Sequence, residues 1–148
     1  MKKNTIFVLL VLLVSQYASA HGEDKYGPHK GFVRMPGAFH TELVLDGQNQ
    51  LKVYLLDIEW KNPSVKKSQV QVKYNNKTDA KCDVQSKESD SYFLCVFPAK
   101  VDLNKKGELK VIAVREEQKG AEAIYKLPLK LEISTPSPDQ HSGHSGHH

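Results

Sequence analysis

From Thr41 onward, short runs of β-branched and aromatic residues alternate with polar residues, and turn-forming residues separate the runs. Residues 41–58 contain two such runs on either side of an Asp-Gly sequence, which is typical of a β-hairpin. In "SQVQVKYN" (68–75), Val70 and Val72 alternate with polar neighbours, as on a strand with one buried face. We find no convincing amphipathic helical period, so the pattern predicts one strand after another.

Further strand signals follow along the chain. The runs "AKCDVQ" and "SYFLCVF" flank a polar stretch at 86–90, and "GELKVIAVR" follows a turn-like sequence at 104–107. The last run, 122–133, contains Pro128, which cannot donate a ladder hydrogen bond and therefore indicates an edge strand or a bulge. Six or seven short strands at regular spacing predict an all-β fold, an antiparallel two-sheet sandwich of the immunoglobulin-like kind.

The apolar positions of these strands define a candidate core. Trp60, which lies outside the alternating runs, is expected at the rim of a sheet. The candidate core residues are Leu43, Leu45, Val53, Leu55, Val70, Val72, Phe93, Val111, Ala113, Tyr125 and Leu127.

The first residues have the features of an export signal. Lys2 and Lys3 precede an unbroken apolar run at 6–14, and small residues at 18 and 20 provide a signal-peptidase site. The run is too short to cross a bilayer, so we expect no membrane anchor. We therefore predict cleavage after Ala20, a mature N-terminus at His21 and a periplasmic location.

The export signal and the strand pattern divide the chain into four predicted parts. One ordinary domain is all that the remaining length allows. The parts are a signal peptide at 1–20, a flexible histidine-containing segment at 21–40, a β-sandwich at 41–134 and a disordered His-rich tail at 135–148.

The formal net charge of +4 is small, and the predicted signal peptide holds two of the lysines. The other lysines are scattered along the chain, as on a solvated surface with lysines at strand edges. This charge pattern does not favour nucleic acid as a partner.

The two cysteines suit an oxidising compartment. Cys82 and Cys95 are almost symmetric about the polar stretch at 86–90, so they could face each other across a hairpin. A disulfide closing so short a loop would stabilise the fold by roughly 3 kcal/mol. A redox-active pair is the alternative, but the CxxC spacing is absent.

The seven histidines are confined to the two ends of the mature chain. None lies between residues 41 and 140, which favours metal-handling end segments over a core histidine or a general base. The N-terminal group comprises His21, His29 and His40. The C-terminal group comprises His141, His144, His147 and His148.

Once cleavage has freed it, His21 could chelate one ion through its α-amine and its ring Nδ1. The reference pKa of an α-amine is about 8, so a metal displaces its proton easily near neutral pH. His40 and Glu42 are two residues apart, so on one strand they would point to the same face. His29 could fold back to the same ion, and Met35 offers a thioether that favours copper over zinc or nickel. The alternative is that these are ordinary polar loop residues.

The tail "HSGHSGHH" could wrap an ion at the cost of ordering itself, with moderate affinity and poor selectivity. An expression tag is the other explanation, although tags are usually contiguous. The tract favours metal scavenging and does not say which metal.

The segment 27–57, "GPHKGFVRMPGAFHTELVLDGQNQLKVYLLD", resembles a segment of small periplasmic proteins and of heavy-metal efflux adaptors of the membrane-fusion type. Those have a Gly-Pro-His-Gly-Gly-like stretch, a His-x-Glu-Leu-Val strand and a Val-Tyr-Leu-x-Asp strand, and Lys30 stands here at one of the glycines. The resemblance implies an envelope β-sandwich module with His29, His40 and Glu42 as candidate ligands. The coiled-coil and lipoyl-like parts of an adaptor are absent. The matching positions are Gly27, Pro28, His29, Gly31, His40, Glu42, Leu43, Val44, Val53, Tyr54, Leu55 and Asp57.

Three classes of function fit these observations. The first is a periplasmic protein that binds copper (or zinc or nickel) and buffers the ion or passes it to a metal-efflux or metal-assembly partner. The second is an envelope interaction module whose metal binding is incidental. The third is a copper enzyme, since an N-terminal histidine paired with a second one can hold redox-active copper. The scarcity of aromatics near the histidines disfavours an enzyme, and we expect a non-catalytic protein.

Overall fold

A computed structural model describes residues 21–23 and 25–131, with residues 21 and 22 described by their backbone alone. The predicted signal peptide and most of the predicted tail, including its four histidines, lie outside the described residues. Within the described ranges every regular element is a strand, and the strands form two antiparallel sheets. The strands are β1 His21–Gly22, β2 Phe32–Met35, β3 His40–Leu45, β4 Gln50–Leu56, β5 Gln69–Tyr74, β6 Thr78–Asp79, β7 Lys81–Gln85, β8 Tyr92–Val96, β9 Gly107–Arg115, β10 Gln118–Lys119 and β11 Ala123–Leu127.

Sheet A has the order β1-β2-β3-β4-β8-β7. Its centre is the predicted hairpin of β3 and β4, which pair from His40↔Leu56 to Leu45↔Leu51. Gly47 has a φ of 118° in the connecting turn, a conformation that residues with a Cβ rarely adopt. The segment 21–40, which we expected to be flexible, contributes β1 and β2 to this sheet.

Sheet B has β5 between β6 and β9, while β10 and β11 both pair with the other side of β9. Lys119 pairs with Val114 but Ala123 pairs with Val111, so one extra residue lies between β10 and β11 and forms a bulge. The last predicted run ends earlier than expected. Pro128, which follows a cis peptide bond, comes directly after β11.

The main core lies between the sheets and includes the predicted residues, with Leu45 packed at its margin. Thr41 and Tyr125 link the sheets through their hydroxyl groups, 2.7 Å apart. Burial of these apolar strand faces is the main stabilising term of the fold. Core residues that the sequence pattern had not selected are Phe39, Leu51, Cys95, Phe97, Val101, Leu103, Leu109 and Ala123.

The outer face of sheet A carries a second, smaller cluster. Tyr54, Leu56 and Tyr92 are buried there, with Val44, Trp60 and Leu94 packed beside them. Trp60 is half-buried at the edge of this cluster, which agrees with its expected place at a sheet rim. The chain from 25 to 31, which we call the strap, lies over this face. The backbone N–H groups of His29 and Gly31 hold it there by donating to Glu42.

Cys82 and Cys95 form a disulfide between directly paired positions of β7 and β8, with their Cα atoms 4.0 Å apart. The predicted hairpin disulfide is therefore confirmed. Over the described part of the chain, no helical segment has the length and hydropathy that a bilayer span requires.

Candidate functional site

Glu42 is the most unusual residue of the outer face, since it is a carboxylate with no exposed surface. Its Oε1 accepts hydrogen bonds from the backbone N–H groups of His29 and Gly31, both at 2.9 Å, and its Oε2 lies 2.8 Å from Nδ1 of His29. A buried carboxylate is tolerated only when such donors satisfy it. Glu42 therefore fastens the strap to β3.

The glycines at both ends of this turn make the arrangement possible. A Cβ at Gly27 would clash with the Glu42 carboxyl group, and one at Gly31 would lie 2.6 Å from the carbonyl oxygen of Leu43. Lys30, at one of the expected glycine positions, has a φ of 61° in the left-handed region. The "GPHKG" stretch thus forms a tight turn around a carboxylate.

His29 is held from three sides. Its ring stacks on Tyr54 with 3.6 Å between centroids and 5° between planes. Because an ionised carboxylate can only accept, the Nδ1 proton of His29 is assigned to the Glu42 contact. Its Nε2 lies 3.1 Å from Oδ1 of Asp90, a solvent-shielded oxygen that has no other close donor among the described residues.

Acidic side chains surround Tyr54 on the outer face of sheet A. Burial and then the charge of Asp90 raise the pKa of Tyr54 to about 12, with smaller contributions from Tyr92, Glu42 and Asp46. The phenol is therefore neutral at physiological pH and provides an apolar platform for the His29 ring.

His40 is buried and is the first residue of β3, and both of its ring nitrogens have partners. The indole Nε1–H of Trp60 can only donate, and it lies 3.1 Å from His40 Nε2. Nε2 is therefore the acceptor, so Nδ1 carries the proton and donates to the carbonyl oxygen of Asp57 at 3.1 Å. A second acid, Glu23, has its Oε1 3.8 Å from the same Nε2.

The loop that supplies Trp60 is organised by Asp57. The carboxylate of Asp57 accepts from the backbone N–H groups of Glu59 and Lys61 and from the side-chain amide of Asn62. The Lys61 hydrogen bond is the largest reason that the pKa of Asp57 lies below its ordinary value, and the Asn62 amide adds to it. Trp60 and Asn62 have φ values of 65° and 50°, a left-handed conformation that asparagine tolerates but that is strained for tryptophan.

The backbone register brings β1 to the same end of sheet A as His40. His21 pairs directly with Met35. The β2–β3 register runs from Phe32↔Leu43 to Arg34↔Thr41, and continuing it by one residue sets Met35 opposite His40. Opposed positions share one face of an antiparallel sheet. The three positions form a row across β1, β2 and β3, next to Glu23.

The predicted N-terminal ligands therefore fall into two groups. His29 and Glu42 contact each other under the strap, whereas His21, Met35 and His40 occupy the row. Within the residues whose side chains are described, no group of three or more histidine, cysteine, aspartate or glutamate side chains has metal-site geometry. His141, His144, His147 and His148 lie outside the described residues.

Four residues of these environments had not been predicted as part of a site: Glu23, Trp60, Tyr54 and Asp90. Each is brought to a histidine by tertiary pairing rather than by sequence proximity. The partial exception is Glu23, since its spacing from His21 would place both on one face of a strand.

No family model, no curated protein and no solved structure matches this chain.

Proposed function

We propose that this protein is an exported, periplasmic metal-binding protein that buffers an ion, copper in preference to zinc or nickel, or hands it to a metal-efflux or metal-assembly partner. Its role is binding and transfer rather than catalysis. Residues 1–20 act as the export signal, and the mature chain begins at His21.

One observation carries this proposal: His40, on the outer face of sheet A, has its Nδ1 tied to a fixed oxygen acceptor. The acceptor is the carbonyl oxygen of Asp57, whereas both ring nitrogens of His29 lie close to carboxylates. Histidines that bind metals almost always donate their second ring N–H to a carboxylate or a backbone carbonyl, which fixes the tautomer and the ring. At His40 this leaves Nε2 as the unprotonated nitrogen for an incoming ion.

The tail histidines extend this function in a different way. A tract such as "HSGHSGHH" collects ions with modest affinity, so it raises the local concentration of metal near the folded domain. The tail recruits ions, and the outer face of sheet A holds them.

The proposal is tested by titrating the protein that begins at His21 with Cu(II) and with Zn(II) by calorimetry. A matched variant has serine at the four tail positions 141, 144, 147 and 148. We expect one tight site in both proteins and additional weak sites only in the chain with the native tail. Binding that disappears with the tail histidines would contradict the proposal.

The second candidate is an envelope interaction module with incidental metal binding. The observation in its favour is that His29 and His40 already have protein neighbours at both ring nitrogens, namely Asp90 and Trp60 at Nε2. The same titration separates the two functions, since an interaction module would show no tight site in the tail variant.

A further inference from the structure

We infer that the tight metal site is formed by His21, Met35 and His40, with Glu23 beside it, and that the ion takes the place of the Trp60 indole N–H. This inference rests on the proposed function and specifies its ligands. The ion is copper, bound by the α-amine and imidazole of His21, the Met35 thioether and His40 Nε2.

The three backbone positions come together through the sheet rather than through loops. His21 and Met35 are directly paired, and the β2–β3 register continued by one residue adds His40 on the next strand. The row spans two strand spacings of about 4.8 Å each with Met35 in the middle, a span that one ion can bridge when the residues share a face. Imidazole and amine nitrogens together with a thioether are a donor set that favours copper over zinc.

His40 is already oriented as a ligand. Its Nδ1–H is fixed by the Asp57 carbonyl oxygen, and its Nε2 lone pair is engaged by a single weak donor, the Trp60 indole at 3.1 Å. The carboxylate of Glu23, 3.8 Å from that nitrogen, adds negative charge where a cation would bind. The indole therefore occupies the position of the ion at His40.

Metal capture must consequently move Trp60. One neutral hydrogen bond is a small obstacle compared with a metal–imidazole bond. The loop that carries Trp60 has a strained backbone, and the neighbouring Ile58 is exposed. Release of the indole therefore changes the surface formed by this loop when the ion is bound.

His29 is excluded from this site by its surroundings. Its ring is stacked on Tyr54, and its two nitrogens lie close to the carboxylates of Glu42 and Asp90. These contacts hold the strap in place. His29→Gln is therefore the matched control for His40→Gln.

The test uses the chain that begins at His21 with serine at the four tail positions, and it measures Cu(II), Cu(I) and Zn(II) affinity by competition with chelators. We expect His40→Gln to weaken Cu(II) binding at least roughly tenfold and an extra residue before His21 to do the same. Met35→Leu should weaken Cu(I) binding roughly tenfold and leave Zn(II) binding unchanged. His29→Gln should leave every affinity within about threefold, since β1 is held by β2 and not by the strap turn.

Trp60 is the sole tryptophan, so its fluorescence reports on the displacement. Zn(II), which does not quench by paramagnetism, should shift the emission of the parent protein and should not do so in His40→Gln. Trp60→Phe keeps a ring but removes the N–H, and it should tighten binding roughly fivefold. Circular dichroism and thermal melts establish that each variant is folded, and Met35→Leu provides an answer if His40→Gln does not fold.

The outcomes separate the two proposals. Tight binding that survives both His40→Gln and Met35→Leu but is lost in His29→Gln would overturn this site and keep the function. Tight binding without any change in Trp60 emission would overturn the displacement of the indole. Absence of tight binding in the parent protein would overturn the function itself.

Discussion

The two faces of sheet A are built by different physical chemistry. Alternate residues of β3 serve both: Thr41 and Leu43 point to the main core, whereas His40 and Glu42 lie on the outer face. The inner face is held mainly by non-directional apolar burial. The outer face adds to its small apolar cluster a set of hydrogen bonds, which require fixed partners at fixed distances. We therefore expect stability to come mainly from the inner face, and chemical specificity from the outer face.

The largest expected effect is on the inner face. Leu55 has no exposed surface and lies in the main core, so Leu55→Ala should lower the free energy of unfolding by about 4 kcal/mol. The measurement is chemical denaturation followed by fluorescence. Ile124→Ala, at a largely exposed position of β11, is the matched control and should change stability by less than about 1 kcal/mol. Equal effects of the two changes would contradict the assigned core.

The disulfide joins the edge strand β7 to β8, and its removal measures how much this bond contributes to the stability of the fold. Replacing Cys82 and Cys95 together by serine should lower the free energy of unfolding by about 3 kcal/mol, because the unfolded chain regains the freedom of the closed loop. Denaturation of the wild type with and without reducing agent provides the control. A wild type whose stability is indifferent to reduction would argue against this contribution.

A local effect is expected on the outer face. Glu42→Leu leaves the backbone N–H groups of His29 and Gly31 without their acceptor, which should destabilise docking of the strap by about 2 kcal/mol. Trypsin should then cleave after Lys25 and Lys30 at a rate increased by a factor of roughly 30, while the sandwich stays folded.

Glu88→Gln, at an exposed position between β7 and β8, is the matched control for this change and should leave the cleavage rate unaltered. If Glu42→Leu instead unfolds the whole domain, the distinction between the two faces is wrong.

The smallest effect concerns alkaline pH. The folded pKa of Tyr54, about 12, lies above its ordinary value of 10.0, so the folded state retains this proton more strongly than the unfolded state. The resulting stability is fully present below pH 10 and is lost as the pH rises toward 12. Unfolding measured between pH 9 and 12 should therefore depend less on pH in Tyr54→Phe than in the wild type. A steeper loss in the variant would contradict the assignment.

The strands were predictable because their pattern is local. The alternation around Val70 and Val72 and the symmetry of Cys82 and Cys95 each identify a pairing from neighbouring residues, and the structure confirms the sandwich and the disulfide. The same period of two puts His40 and Glu42 on one face. Strand boundaries were less predictable, since β11 ends at Leu127 whereas the predicted run extends over 122–133.

The environments of the histidines could not be predicted because they depend on contacts between distant parts of the chain. A carboxylate is normally exposed, and only the N–H groups of the strap make complete burial of Glu42 possible. The partners Asp90 and Trp60 reach His29 and His40 through strand pairing and loop geometry. The metal ligands themselves stay a prediction.

The strap has a consequence for the order of folding. It lies early in the chain, but the surface that receives it includes Tyr92 and Asp90, which follow much later. The strap therefore has no complete surface to dock on until β8 has paired with β4. Docking of the strap is consequently expected late in folding, after the long-range pairing at the centre of sheet A.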